Sequence, residues 1–245
     1  MSGKENQNNA MKNLDGIIEK IDHHIGGKEK IREEALKASR DIIICCRKGI
    51  QQLHRNQTDD AKNFIQQASE KLEHLYNDTK DHPDIFHAGF VENAAQELVE
   101  IYCLYNIMKG EDLPDPDAIK TTYSAYLLGL CDVVGELRRS ALDFMLEGNT
   151  TKANEYLQHM DRIYDAIMSF DYPSGLIPIK KKQDMIRGLI EKTRGELVVS
   201  NCEQRIYDRT HEFHGILDQV NEEKNNKKKK TTDNEEEDID IDKVW

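Results

Sequence analysis

The chain of 245 residues is long enough for one large or two small domains with a sizeable core. Charged residues make up 33% of it, and its mean hydropathy of -0.75 is typical of a chain that folds in water. A formal net charge of -12 excludes proteins that coat nucleic acid through bulk positive charge, so any nucleic-acid site must be local.

The sequence also indicates a compartment. It lacks a run of about 18 to 20 apolar residues, which a bilayer span requires, and its polar first nine residues lack the apolar core of a signal peptide. We therefore expect a cytosolic protein, or a nuclear one if the source is eukaryotic. The five cysteines are odd in number and never spaced as CxxC, which predicts reduced core residues rather than zinc ligands or disulfides.

The spacing of apolar residues predicts six or seven helices and no strand. In chain order, the predicted helices are Leu14 to Ile25, Lys28 to Arg55, Ala61 to Tyr76, His82 to Lys109, Ala118 to Glu147, Ala153 to Phe170 and Lys180 to Leu217. Gly26-Gly27 separates the first two. Because Ile42 to Cys46 is apolar on every side, we expect the second helix at the centre of the bundle. Short connections favour an all-α, single-domain antiparallel bundle.

The chain is predicted to have three parts. Residues 1–10 form a flexible N-terminus, residues 11–219 the helical domain, and residues 220–245 a disordered charged tail. The tail prediction follows from two blocks of like charge, Lys227 to Lys230 and Glu235 to Asp242, with almost no apolar residue beside them.

Two of the predicted helices carry pairs of acids within apolar segments. Glu97 and Glu100 lie one turn apart, and Asp132 and Glu136 are spaced i, i+4. If the two helices face one another, the four carboxylates converge and repel. A divalent cation would compensate this charge, and oxygen ligands with no His or Cys nearby favour Mg²⁺, with Mn²⁺ as the alternative.

The same spacing also fits solvated acids that pair with local bases, and spacing alone favours that interpretation over a metal site. Arg138 and Arg139 could pair with Glu136 in this way. Arg139 lies on the same helix stripe as Glu136, so it could hold a phosphate or form an ion pair within the helix. A di-iron bundle is less favoured, because its Glu-x-x-His signature is absent near either pair.

Four basic residues of the second predicted helix fall within an arc of about 100° and could bind a nucleic-acid backbone: Arg40, Arg47, Lys48 and Arg55. His54 and His87 lie near these features in sequence, and we interpret both as ordinary surface or core residues. No Gly-rich phosphate loop, GxSxG elbow or HExxH motif occurs, so the sequence does not support catalysis by a Ser or Cys nucleophile.

Three segments carry a family resemblance: Ser39-Arg40-Asp41-Ile42, Gln96-Glu97-Leu98-Val99-Glu100, and Tyr126 through Arg139. Together they resemble the translin family, and within it the translin-associated factor X branch in its stand-alone form. The resemblance extends from about Lys28 to Leu197. It implies an all-helical fold and an octameric shell that encloses RNA or single-stranded DNA.

For the factor X branch, the resemblance implies a metal-dependent endoribonuclease. Its catalytic acids match Glu97, Glu100 and Asp132, and Glu136 is also placed to bind Mg²⁺. The chain departs from the animal factor in its acidic tail and in lacking a long insertion between the two acidic helices. The second departure suggests a compact protomer that forms a homo-octamer, with a hetero-oligomer containing a translin-like subunit as the alternative.

Three hypotheses follow. The leading one is a Mg²⁺-dependent endoribonuclease that binds single-stranded RNA, with single-stranded DNA as a further ligand and without a membrane partner. The alternative is a non-catalytic oligomeric binder of single-stranded RNA or DNA, as translin is. A purely structural bundle would have neither a nucleic-acid site nor a metal site. The leading hypothesis requires the two acidic pairs to face each other, with oxygens close enough for one cation to bridge.

Overall fold

The computed structural model describes residues 13–235, and it contains seven helices and no strand within that range. The helices are α1 (Leu14–His54), α2 (Thr58–Thr79), α3 (Pro83–Phe86), α4 (Gly89–Lys109), α5 (Tyr123–Leu146), α6 (Thr150–Met168) and α7 (Lys180–Glu235). The predicted all-α bundle of six or seven helices is confirmed. None of the described helices is both long enough and apolar enough to cross a membrane.

The direction of each helix follows from the length of its connections. Short turns through Asn56 and Gly148, both at positive φ, reverse the chain between α1 and α2 and between α5 and α6. The longer segments 110–122 and 169–179 return the chain along the bundle before α5 and α7 begin. As a result α1, α4, α5 and α7 run in the same direction, and α2 and α6 run against them.

The core lies along α4, which packs between α1 and α5. Ile42 and Leu53 of α1 are fully buried there, together with Leu98 and Ile101 of α4 and Leu137 of α5. Burial of these side chains is the main stabilising contribution, at about 25 cal/mol per Å² of apolar surface removed from water. The prediction of α1 as the central helix was wrong, because α1 packs mainly on α2 and α4 and its outer face, with Ile44, is exposed.

Gly129 sets the separation of α4 and α5. A Cβ atom at this position would lie 2.6 Å from the backbone oxygen of Gln96 and 2.8 Å from the Cβ atom of Val99. Both distances are too short for any side chain larger than hydrogen. The absence of a side chain at Gly129 therefore lets the two acidic helices pack backbone to backbone.

Several helix boundaries differ from the prediction. α1 continues through Gly26-Gly27, because neither glycine adopts positive φ, and a glycine inside a helix costs about 1 kcal/mol without ending it. The predicted helix from His82 to Lys109 is divided into α3 and α4. α5 begins at Tyr123 rather than Ala118. The Thr122 hydroxyl, just before Tyr123, accepts a hydrogen bond from the amide of Ala125 and caps the helix.

The last helix is longer than predicted. α7 passes Leu217, where we expected it to end, and continues to Glu235. The predicted flexible N-terminus, residues 1–10, lies outside the described residues, as does the end of the predicted tail, residues 236–245.

Candidate functional site

The four acids singled out in the sequence lie in one cluster between α4 and α5. Glu97, Glu100 and Glu136 line a single cavity of about 510 Å³. Asp132 lies one turn before Glu136 on α5, close enough to Glu100 to raise the pKa of that carboxyl group. We refer to these four residues as the acid cluster.

The surroundings of Glu100 favour the neutral form of its carboxyl group. Burial, followed by the negative charges of Asp132, Glu97 and Glu136, raises its pKa to about 8, and the positive charge of Lys182 offsets only part of that rise. Glu100 is therefore protonated at neutral pH unless additional positive charge enters the cluster.

Bases from α1 and α7 pair with two of the other acids. Arg47 Nη2 lies 3.3 Å from Glu97 Oε1. Lys182, near the start of α7, donates to both carboxylate oxygens of Asp132 at 2.5 Å. Both pairs join helices far apart in sequence, so they bring α1 and α7 to the edge of the acid cluster.

His54 pairs with the remaining acid. Its Nε2 atom lies 2.6 Å from Glu136 Oε2, and its side chain is only 7% exposed. Arg139 Nη1 lies 4.0 Å from the same oxygen, which makes it the weaker partner of Glu136. His54 therefore contacts the acid cluster from a largely buried position, a contact that the sequence interpretation did not include. His87 lies outside the cluster and packs beside the ring of Phe86.

The donor atoms of the acid cluster suit a hard divalent cation, because they are the oxygens of four carboxyl groups. Burial first, and the charge of the other three acids next, favour the neutral form of Glu100. The expectation of no His or Cys nearby was wrong. His54 contacts Glu136, and the pKa of Cys46 is raised, mainly by burial and next by the charge of Glu97. The donor set nevertheless fits Mg²⁺ or Mn²⁺ in type and charge.

The side-chain positions are less favourable than the donor types. Among the described residues, no three Asp, Glu, His or Cys side chains are arranged so that they could hold one ion. The expected approach of the four carboxylates to a single point is therefore not formed. The physical reason is that Glu97, Asp132 and Glu136 are each drawn toward a base on another helix.

Three of the five predicted nucleic-acid-binding residues lie at the acid cluster. Arg47, Lys48 and Arg139 line the same cavity as the acids. Arg40 and Arg55 are exposed on α1 and at its end, and within the described residues they are not part of that cavity lining. The positive groups at the mouth suit a phosphodiester, which is an anion, whereas the carboxyl groups deeper inside suit a cation.

The sequence interpretation missed two contributors, His54 and Lys182. A signal for His54 was present, because it follows Arg47 by seven residues and so lies on the same stripe of α1. Nothing in the local sequence indicated Lys182, which meets Asp132 only through the packing of α7 on α5.

A larger cavity of about 620 Å³ lies elsewhere, between α5, α6 and the segment before α7. Its lining is apolar and aromatic, including Leu127, Ile167 and Phe170, and contains no acid or base. Catalytic chemistry or phosphate binding is therefore better supported at the acid cluster, although its cavity is smaller.

Residues 30–196 match the family model described as the Translin family, which covers well over half of the chain. An uncharacterized protein of Methanocaldococcus jannaschii is 35% identical over 193 residues, an alignment that covers 77% of this chain and 83% of the relative. A second model, the Syntaxin-5 N-terminal, Sly1p-binding domain, matches only residues 206–221 and shows no family membership.

Solved structures of C3PO proteins share the fold of this chain. Two structures of AfC3PO, one of them a complex with duplex RNA, are 31% identical to this chain and superpose with a TM-score of 0.68, covering 76% of this chain and 97% of theirs. Apo-NeC3PO, at 19% identity and a TM-score of 0.67 over 77% of this chain and 97% of its own, shares the fold. The family match, the archaeal relative and these structures together show that the chain belongs to the translin family.

Proposed function

We propose that this protein is a Mg²⁺-dependent endoribonuclease that binds single-stranded RNA, in the manner of the translin-associated factor X branch. The observation that carries the proposal is the single cavity in which Glu97, Glu100 and Glu136 lie beside Arg47 and Arg139. It combines a set of hard-cation donors with phosphate-binding groups, which are the two components that metal-assisted phosphodiester hydrolysis requires.

Each part of the cavity has a role in this proposal. Glu97, Glu100, Asp132 and Glu136 would hold the cation, with Mn²⁺ as a substitute for Mg²⁺. A bound divalent cation supplies an activated water and neutralises charge at the phosphate. With these functions carried by the cation, the chain needs no Ser, Cys or His nucleophile.

The bases would bind the RNA backbone. The Arg47 side chain is 70% exposed and Arg139 is 57% exposed, so both can reach a phosphate at the cavity mouth. Lys48 lines the same mouth. An arginine that leaves a carboxylate for a phosphate exchanges one charge-assisted hydrogen bond for another, so the exchange has a small net cost. Arg47 would release Glu97 in this way when RNA binds.

The comparisons support RNA as the ligand and an oligomer as the functional form. A similar AfC3PO structure is a complex with duplex RNA. We infer a homo-oligomer, and an octamer is the form that the family resemblance implies. Single-stranded DNA would bind the same basic mouth, because phosphate contacts do not distinguish it from RNA.

Substitution of two acids tests the proposal. The double variant Glu97→Ala/Asp132→Ala should lose cleavage of labelled single-stranded RNA and keep its helix content and molecular mass. The matched control is Asp143→Asn, which changes an exposed acid on α5 and should leave cleavage unchanged. Full activity in the double variant, or wild-type activity that persists in EDTA, would overturn the proposal.

One observation favours a second function, non-catalytic binding of single-stranded RNA or DNA. No three ligand side chains among the described residues are arranged around one ion. RNA binding to Arg47, Lys48 and Arg139 does not require such an arrangement. A gel-shift experiment with and without chelator separates the two functions, since binding that survives EDTA with no cleavage at any Mg²⁺ concentration supports the second.

A further inference from the structure

The second half of α7 extends from the bundle with a row of exposed apolar side chains. Every side chain from Arg205 to Lys224 is exposed. Among them are Ile206 at 65%, Phe213 at 60% and Ile216 at 57% of their full accessible surface. Large apolar residues in such a row on a water-exposed helix mark an interaction surface.

The spacing of this row is that of a coiled coil. Its positions alternate in steps of three and four residues over three heptads: Val199, Cys202, Ile206, Arg209, Phe213, Ile216 and Val220. Six of the seven are apolar, and the exception is Arg209. A repeat of 3.5 residues keeps the row on one side of a helix that winds around a partner helix. We call these seven positions the α7 seam.

The α7 seam is distinct from the face that α7 packs on its own bundle. That inner face contains Ile186, Ile190 and Leu197, which are buried. Val199 follows Leu197 by two residues, about 200° around the helix, so the seam starts outside the buried inner face. The bundle therefore leaves the seam for another partner.

A groove in the bundle continues the α7 seam toward its start. It has a volume of about 690 Å³, lies between the end of α5 and α7, and is lined by Met145, Leu146, Gly195 and Val199, among others. Leu146 is 88% exposed. A Cβ atom added at Gly195 would meet nothing within 4 Å, so there is space for an incoming side chain.

We propose that the exposed half of α7 pairs in antiparallel orientation with the same segment of a second copy of this chain. This inference is independent of the proposed nuclease function. A parallel pair is disfavoured, because it would place Arg209 directly opposite its own copy in the apolar seam. An antiparallel pair avoids that repulsion, since each layer joins two different seam positions.

One antiparallel register satisfies both the seam and its flanking charges. With Ile206 opposite Arg209 of the second copy, Val199 faces Ile216 and Cys202 faces Phe213. The same register brings Arg205 beside Glu212, two positions that flank the seam, and symmetry forms this ion pair twice.

In the same register, a side chain of the second copy would fill the groove between α5 and α7. Val220 of the second copy comes opposite Gly195, the open position in the groove. It would pack there beside Met145 and Leu146. The seam and the groove thus form one continuous surface that a second α7 covers along its length.

Disulfide cross-linking of the full chain tests the pairing. In a Cys202→Ser background, the double variant Val199→Cys/Ile216→Cys should form a covalent dimer on oxidation. Within one chain these positions lie about 25 Å apart along the helix axis, far beyond the separation of about 6 Å between Cα atoms in a disulfide. The cross-link can therefore form only between copies.

Each single variant is a control for orientation. Val199→Cys alone and Ile216→Cys alone should stay monomeric on a non-reducing gel, because antiparallel pairing keeps each position away from its own copy. Efficient dimerisation of either single variant would indicate a parallel pair and overturn the proposal. Failure of the double variant to cross-link would also overturn it.

A second control excludes random collision. His211 and Asp218 are exposed and lie on the side of the helix away from the seam. The variant His211→Cys/Asp218→Cys, also in the Cys202→Ser background, should not cross-link. Cross-linking as fast as in Val199→Cys/Ile216→Cys would overturn the proposal.

Disruption of the seam is a third control. Ile206→Asp/Phe213→Asp, added to Val199→Cys/Ile216→Cys, should abolish the cross-link without changing the bundle's thermal unfolding. A cross-link that persists would contradict it.

Discussion

Lys182 Nζ lies 2.5 Å from both carboxylate oxygens of Asp132, so an ammonium group from α7 provides positive charge at the edge of the acid cluster. The same ammonium donates to the backbone oxygen of Leu128 at 3.3 Å. Lys182 therefore fixes Asp132 and joins α7 to α5. It also provides, next to Glu100, part of the positive charge that the proposed function assigns to a divalent cation.

Lys182→Met should lower the stability of the chain in EDTA and increase the stabilisation that Mg²⁺ provides. In EDTA, the variant should be less stable by about 1–3 kcal/mol, because a partly buried Asp132 loses its partner. With its negative charge less compensated, the acid cluster should gain more stability from Mg²⁺ than the wild type does. Thermal unfolding across an Mg²⁺ titration measures both effects.

Lys180→Met is the matched control for Lys182→Met. Lys180 pairs with Asp171 at 3.1 Å, but both side chains are well exposed. Exposed pairs contribute about 0–1 kcal/mol, so this variant should unfold like the wild type at every Mg²⁺ concentration. Equal responses of the two lysine variants would show that Lys182 has no special relationship to the acid cluster.

The raised pKa of Glu100 predicts a pH dependence of stability in EDTA. Its pKa is about 8 in the folded chain and about 4.5 without burial and neighbouring charges. Between these values the folded state retains a proton that the unfolded state releases, so the contribution of Glu100 to stability falls as pH rises from about 5 to 8.

Glu100→Gln removes this titration and keeps the shape of the side chain. Its melting temperature relative to wild type should therefore increase between pH 5 and pH 8, with each unit of pKa shift equivalent to about 1.4 kcal/mol as an upper limit. Differential scanning calorimetry at several pH values gives the comparison. A constant difference across this range would mean that Glu100 does not titrate as described.

Gly129 offers a steric test of the packing between α4 and α5. Gly129→Ala should destabilise the chain by about 1–3 kcal/mol, because the new methyl group would overlap with Gln96 and Val99. It should also reduce cleavage by moving the two acidic pairs apart. Chemical denaturation and RNA cleavage assays measure the two effects.

Gly135→Ala, on the same helix, is the control for Gly129→Ala. A methyl group at Gly135 meets nothing within 4 Å. Alanine is favoured over glycine inside a helix by up to about 1 kcal/mol, so this variant should be as stable as the wild type or more so. Equal destabilisation by both substitutions would contradict a steric role for Gly129.

The all-α fold and the four acids could be predicted from sequence, because both depend on local spacing. Helical periodicity indicated the acidic segments, and the i, i+3 and i, i+4 relations identified Glu97 with Glu100 and Asp132 with Glu136. Whether these acids meet one another depends on the packing of α4 on α5. That packing is set by Gly129, a position without any charge signal of its own.

The partners of the acids could not be predicted in the same way. Lys182 reaches Asp132 because α7 packs against α5, and His54 reaches Glu136 because α1 and α5 both pack against α4. The end of α7 was misjudged for a different reason. Blocks of like charge after residue 226 suggested an early end, and the seam from Val199 to Val220, although readable as heptads, was not separated from the inner face of the same helix.

The most direct test of the account is cleavage of labelled single-stranded RNA at low salt in an Mg²⁺ titration, with wild type and Glu100→Gln side by side. The account predicts wild-type cleavage that appears with Mg²⁺ and disappears in EDTA, and a variant that binds the RNA equally well without cleaving it. Equal cleavage by both proteins, or wild-type cleavage in EDTA, would contradict the assignment of the acid cluster as a metal-dependent nuclease site.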